Sequence, residues 1–222
     1  MLNLFFPKLC VGCKNELANG EEIICGTCRH RLPLTDFHTH KSPELKNKFY
    51  GRIPVSNATA LLYFNKRNLT QAVLHQLKYK GNAAVGVVLG KWLGQELAVL
   101  NEYQNIDLVV PVPLHKKKLK SRGYNQVEGF AREIAHSLNA AYRDDILIKI
   151  TPTSSQVFSE RITRIFSREE VFSVVQPQEI VGKHILITDD IITTGATIEA
   201  CAGQLLKAPG VTISIASMAV TE

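Results

Sequence analysis

Residues 185–197 read I-L-I-T-D-D-I-I-T-T-G-A-T, an apolar run closed by two adjacent carboxylates and then by a turn of hydroxyl residues and glycine. The run fits a buried strand, and ligands of open α/β sheets bind beyond the carboxyl ends of strands. A turn made of Thr193, Thr194, Gly195, Ala196 and Thr197 at the start of a helix would present backbone N–H groups and hydroxyls to a phosphate. Asp189 and Asp190 would repel that phosphate, but carboxylates accept hydrogen bonds from the vicinal hydroxyls of a sugar. Phosphate on one side and ribose on the other describe a phosphorylated pentose. The plain alternative is an ordinary strand–turn–helix whose acids merely cap. Neither G-x-x-x-x-G-K-[ST] nor G-x-G-x-x-G occurs, so no other nucleotide fingerprint competes.

A second chemical stretch, V-V-P-V-P-L-H-K-K-K-L-K-S-R-G-Y-N-Q, covers residues 109–126. It predicts a strand running into a proline-stiffened turn at Val112-Pro113 and then a basic loop carrying Lys116, Lys117, Lys118, Lys120 and Arg122. Such a loop is either simply solvated or a binder of phosphates, including those of nucleic acid.

Four of the five cysteines, Cys10, Cys13, Cys25 and Cys28, form a C-x2-C-x11-C-x2-C pattern. Two such knuckles in a cytosolic chain read as a tetrahedral zinc site with four thiolate ligands, the competing readings being two disulfides or a redox pair. Four thiolates leave zinc no open position, so its role would be structural or partner-facing rather than catalytic. The segment has too few large apolar residues for a core of its own, and the metal would supply its folding energy. His30, His38 and His40 are expected as solvated loop residues, and Cys201 as a buried thiol on the Ile198–Leu205 face of a helix.

The elements that must position these groups follow from apolar spacing. Strands are expected at Ala58–Phe64, Ile106–Val112, Ile146–Ile150, Ile185–Thr188 and Val211–Met218. Helices are expected from an Asn68 cap through Leu77, over Leu89–Leu100, through Val127–Leu138 and from Gly195 to Leu206. Strands alternating with helices predict an α/β fold with a mostly parallel, doubly wound sheet. The domain expectation is a four-cysteine module over 1–32, a proline-containing linker or hood over 33–57, and the main domain over 58–222.

The 222 residues are 45% hydrophobic and 21% charged, which excludes disorder as the dominant state. No run of about 18 apolar residues predicts a membrane span, and the start lacks the basic n-region of a secretion signal, so the chain reads as cytosolic. The balance of 26 Lys+Arg against 20 Asp+Glu leaves +6, a bias that permits an anionic partner.

The 185–197 segment resembles the 5-phosphoribosyl 1-pyrophosphate (PRPP) motif of type I phosphoribosyltransferases, with Thr188 standing where an aliphatic residue is usual. The resemblance implies that Asp189 and Asp190 hold the ribose 2′- and 3′-hydroxyls and that residues 193–197 cradle the 5-phosphate. It also implies that Val112, Pro113 and Arg122 handle pyrophosphate, with Mg2+ bridging its oxygens and Arg122 and the acidic pair serving catalysis. With the zinc pattern, L77-K-Y-K-G81, R122-G-Y-N-Q126, and Thr153, Gln156, Arg164 and Phe172 at matching spacing, the chain is similar to the ComF family over nearly its whole length. Ser159 and Ser167 depart from that pattern, standing where leucine and asparagine are usual.

ComF-like proteins are linked to natural transformation. The resemblance therefore implies a PRPP-binding protein that takes part in competence and DNA uptake by handling incoming single-stranded DNA in the cytoplasm. Lys116, Lys117, Lys118 and Lys120 would be the DNA contacts and a competence helicase a partner. The alternative is an active phosphoribosyltransferase that moves phosphoribose to an unknown acceptor. No acceptor-reading residues stand out, and Phe158 and Phe166 fit core packing better than base stacking. The second residue is Leu2 rather than a cysteine nucleophile, so glutamine-dependent chemistry is not expected.

Overall fold

The computed structural model describes residues 7–77, 82–150 and 171–222. Its strands are β1 (Ala58–Phe64), β2 (Leu108–Pro111), β3 (Ala141–Tyr142), β4 (Leu147–Ile150), β5 (Val171–Val174), β6 (His184–Ile192) and β7 (Thr212–Thr221). Five of them form one sheet in the order β1-β7-β6-β2-β3, with every neighbouring pair parallel. The strand expected around Ile146–Ile150 does form, but as β4 it pairs antiparallel with β5 in a separate ribbon.

Strand alternation divides the core into two layers. Leu186 of β6 joins Leu61, Leu62, Met218 and the helical residues Val73, Leu89, Phe130 and Ile134 on one face. Its neighbours Ile185 and Ile187 join Ile215, Ile198, Leu205 and Phe49 on the other. The first face carries α3 (Leu69–Gln76), α4 (Ala84–Ala98) and α6 (Glu128–Ser137), and the second carries α7 (Ala196–Leu205). The remaining helices are short: α1 (Gly26–Arg31), α2 (Glu44–Asn47) and α5 (Lys116–Arg122). Asn68 caps α3 as its sequence predicts, its side-chain oxygen accepting the Gln71 N–H at 3.1 Å. Helices α4 and α6 meet backbone to backbone, because a Cβ on Gly90 would lie 2.6 Å from the Phe130 carbonyl oxygen.

Residues 33–57 are packed rather than loosely strung, with Phe37, Leu45, Phe49 and Val55 buried against β1, β6 and β7. His38 corrects one expectation. It is only 6% exposed, and its Nδ1 pairs with the Thr59 hydroxyl at 2.9 Å while its Nε2 meets Glu96 at 3.0 Å. A ring with partners for both nitrogens can be buried without leaving a polar group unsatisfied. Burial disfavours the Glu96 carboxylate, but the bonds from His38 and Trp92 outweigh it and hold its pKa below the usual value. His30 and His40 are exposed, and Cys201 is buried, as expected.

Thr188 is fully buried in β6, and its hydroxyl finds no partner among the described residues. A buried, unpartnered hydroxyl costs about 1 kcal/mol or more. Thr188→Val, which keeps the shape and removes the hydroxyl, should raise the melting temperature by about 2–4 °C in a thermal melt. A lower melting temperature would mean the hydroxyl has a partner in solution.

Candidate functional site at the ends of β2 and β6

Strand β2 leads through α6 to β3 on one side, and β6 leads through α7 to β7 on the other. The connections of these two adjacent strands therefore part in opposite directions, leaving a crevice at their carboxyl ends where open α/β sheets bind ligands. Both chemical stretches of the sequence end there. Strand β6 does not stop at the carboxylates but runs on through Asp189 and Asp190 to Ile192. Asp189 is 9% exposed, and its Oδ1 accepts the Asp190 N–H at 2.8 Å. Asp190 is half-buried, and its Oδ1 accepts the Ile191 N–H at 2.7 Å.

The other Asp190 oxygen accepts from the side-chain amide of Gln126, and the amide oxygen of Gln126 accepts from the Arg122 guanidinium. A hydrogen-bonded chain thus joins the basic segment after β2 to the acidic pair at the end of β6. Asn125 fixes the same junction, donating to the Val112 carbonyl at 3.0 Å and accepting the Val127 N–H at 3.2 Å. The Val112 N–H bonds the Thr188 carbonyl at 2.9 Å, which holds the Val112-Pro113 turn against β6. Tyr124 Oη donates to the Leu77 carbonyl at 2.5 Å and ties the segment to the end of α3. Gln126 and Asn125 belong to the R-G-Y-N-Q stretch, in which sequence alone marks Arg122 by its charge and gives these two amides no role.

Residues 193–195 make the turn into α7, with Thr193, Thr194 and Ala196 exposed and Thr197 half-buried. Gly195 adopts φ +81°, and a Cβ there would lie 2.7 Å from the Phe49 ring, so both backbone and packing demand glycine. The basic segment expected as a loop is instead the helix α5. Residues 114–122 contain neither glycine nor proline and are rich in lysine and leucine, which favour helix. Lys120 is exposed on it, and Arg122 is half-buried. Residues 78–81 of the L-K-Y-K-G stretch, together with Thr153, Gln156, Phe158, Ser159, Arg164, Phe166 and Ser167, lie outside the described residues, whereas Phe172 is buried in β5.

The four N-terminal cysteines converge. Their sulfurs all lie within 4.8 Å of one another, and Cys13 and Cys25 Sγ are 3.7 Å apart. A tetrahedron with Zn–S bonds of 2.3 Å has edges of about 3.8 Å, so this cluster could hold a metal ion and is compatible with structural zinc. The Cys25 N–H points at Cys10 Sγ at 3.3 Å and the Cys28 N–H at Cys25 Sγ at 3.4 Å. Although burial opposes it, backbone N–H groups of Cys25, Cys13 and Gly12 pull the Cys10 thiol down to about 6, while burial and the neighbouring thiols push Cys28 up to about 12. All five cysteines are unbridged. Cys10, Val11, Ile24, Cys28 and Leu32 share one core with α3 and α4, and the Arg29 guanidinium lies 4.4 Å over the Trp92 ring.

No helix of the described residues is long and apolar enough to cross a membrane. No protein-family model matches the chain. Among curated proteins, the DNA utilization protein YhgH of Escherichia coli O157:H7 is 25% identical over 228 residues, covering 96% of this chain and 96% of its own. YhgH of Salmonella typhi is 27% identical over 146 residues, 64% of this chain, and the chain spans only 63% of that relative's length. Competence protein F of Haemophilus influenzae is 22% identical over 219 residues, covering 93% of this chain and 94% of its own. The glutamine PRPP amidotransferase of B. subtilis superposes on 59% of this chain and 26% of its own at 21% identity, with a TM-score of 0.39. That fit is too loose to define the fold, which rests on the strand order itself. Over nearly its whole length the chain is thus similar to the DNA utilization protein YhgH of Escherichia coli O157:H7 and to competence protein F of Haemophilus influenzae, and it combines a parallel sheet with a four-cysteine cluster.

Proposed function

We propose that the crevice between the ends of β2 and β6 binds PRPP with Mg2+, and that the protein uses this pocket in competence or DNA utilization, handling single-stranded DNA in the cytoplasm. The observation that carries the pocket is the Arg122–Gln126–Asp190 chain, which connects a cation and a carboxylate across the crevice. In this reading Asp189 and Asp190 take the ribose 2′- and 3′-hydroxyls and the turn from Thr193 to Thr197 takes the 5-phosphate. The Val112-Pro113 turn and Arg122 take the pyrophosphate, whose charge Mg2+ shares. The DNA role is supported by the names of the relatives, DNA utilization protein and competence protein, and by the lysines of α5.

PRPP with Mg2+ at a hundred times its Kd should add about 2.7 kcal/mol and raise the melting temperature by about 5–10 °C. An unmoved transition would count against the pocket. For the DNA role, replacing Lys116, Lys117 and Lys118 with alanine should weaken single-strand binding and lower the magnitude of its log–log salt slope by about 2, at roughly 0.7 per phosphate contact. An unchanged slope would remove α5 as the DNA contact.

The same chain favours a second reading, in which the protein is an active phosphoribosyltransferase. Arg122 would stand at the pyrophosphate, which leaves with the electron pair of its bond to C1 while an electron pair of the acceptor forms a new bond to C1 and the acceptor's proton passes to water. Release of pyrophosphate from PRPP in the presence of an acceptor would establish it.

A further inference from the structure

The turn from Thr193 to Thr197 carries a built-in conflict. Glu199 lies in the first turn of α7, so a carboxylate sits beside a turn assigned to a phosphate dianion. Arg52, from the segment that follows α2, resolves the conflict. Its Nε donates to Glu199 Oε2 at 2.8 Å, and its Nη2 meets the same oxygen. Its Nη1 donates to the Thr194 carbonyl at 2.9 Å and to the Lys48 carbonyl at 3.1 Å. The Thr194 carbonyl and the Gly195 N–H share one trans peptide and so point in opposite directions. Anchoring that carbonyl on the guanidinium turns the Gly195 N–H to the side of the turn away from Arg52. Neighbouring residues anchor the segment that carries Arg52: the Phe49 ring packs on Gly195, and Lys48 Nζ donates to the Thr221 carbonyl at 2.9 Å at the end of β7.

We infer that Arg52 is a positioning residue for the phosphate turn, neutralising Glu199 and holding the Thr194–Gly195 peptide in its anion-accepting orientation. The inference rests on the reading of this turn as the PRPP 5-phosphate site. Arg52 acts through Glu199 and the turn. Without it the Glu199 carboxylate is unpaired in the first turn of α7 and the Thr194 carbonyl loses the donor that orients its peptide, and both losses fall on ligand affinity.

The test is titration of PRPP with Mg2+ into wild type, Arg52→Ala, Glu199→Gln and the double variant, with a thermal melt of each. Arg52→Ala should raise the Kd about tenfold or more. Glu199→Gln in that background should restore at least half of the loss on a logarithmic scale, because it removes the charge that Arg52 offsets. A merely structural role for Arg52 would give no such rescue, since Glu199→Gln adds no fold contact. Unchanged affinity in Arg52→Ala, or a double variant as weak as Arg52→Ala, overturns the positioning role while wild-type binding keeps the pocket. Wild-type protein that binds no PRPP overturns the pocket reading and this inference together.

Discussion

Asp190→Asn should lose PRPP affinity by about a hundredfold or more while melting within a few degrees of wild type. In the proposed pocket two hydrogen bonds from ribose hydroxyls to a carboxylate are at stake, each of the charge-assisted kind worth about 1.5–3 kcal/mol. The substitution also acts on a second group. Asp190 accepts from the Gln126 amide, and an asparagine presenting its own NH2 there would force Gln126 to turn its oxygen round. That oxygen is the acceptor for Arg122, so the cation loses its anchor as well. The fold has less at risk, because asparagine keeps the Oδ1 acceptor that takes the Ile191 N–H at 2.7 Å. Titration of both proteins with PRPP and Mg2+ reads the effect, and equal affinities would remove Asp190 from the site.

Cys25→Ser should lower the melting temperature of the whole protein by about 10 °C or more and release zinc. The free energy of a structural zinc site is folding free energy, and a few kcal/mol of it corresponds to a shift of that size for a chain of this length. The effect should spread beyond the N-terminal segment, because Cys10, Val11, Cys28 and Leu32 belong to the same core as Leu61, Val73 and Leu89. Gly12 shows how close the contact is, since a Cβ there would lie 2.7 Å from Leu69 and 2.9 Å from Cys28 Sγ. Metal analysis should find one zinc per wild-type chain and none in the variant. A variant that keeps the wild-type melting curve for β1–β7 would show that the module contributes nothing to the main core.

Periodicity and local chemistry carried the parallel strands and the helices around them into the sequence. Runs such as Ile185–Thr188 have no competing helical pattern, and Asn68 and Gly195 mark their helix starts by local rules. The C-x2-C pairs were equally legible, because knuckle spacing brings the four sulfurs together. What local rules miss are contacts made across long sequence separations. Phe49 and Arg52 reach the turn at 193–195 from a stretch whose prolines and charges read as a linker, although its apolar residues pack against the sheet. His38 gives no local sign of burial, since its partners Thr59 and Glu96 lie on β1 and α4. The link from Gln126 to Asp190 exists only because β2 and β6 are neighbours, a fact of strand order that spacing along the chain does not encode.

Calorimetric titration of PRPP with Mg2+ into the wild-type protein tests the central claim most directly. The account predicts saturable binding at one PRPP per chain, lost in Asp190→Asn. No heat from the wild type, or the same isotherm from both proteins, would contradict it.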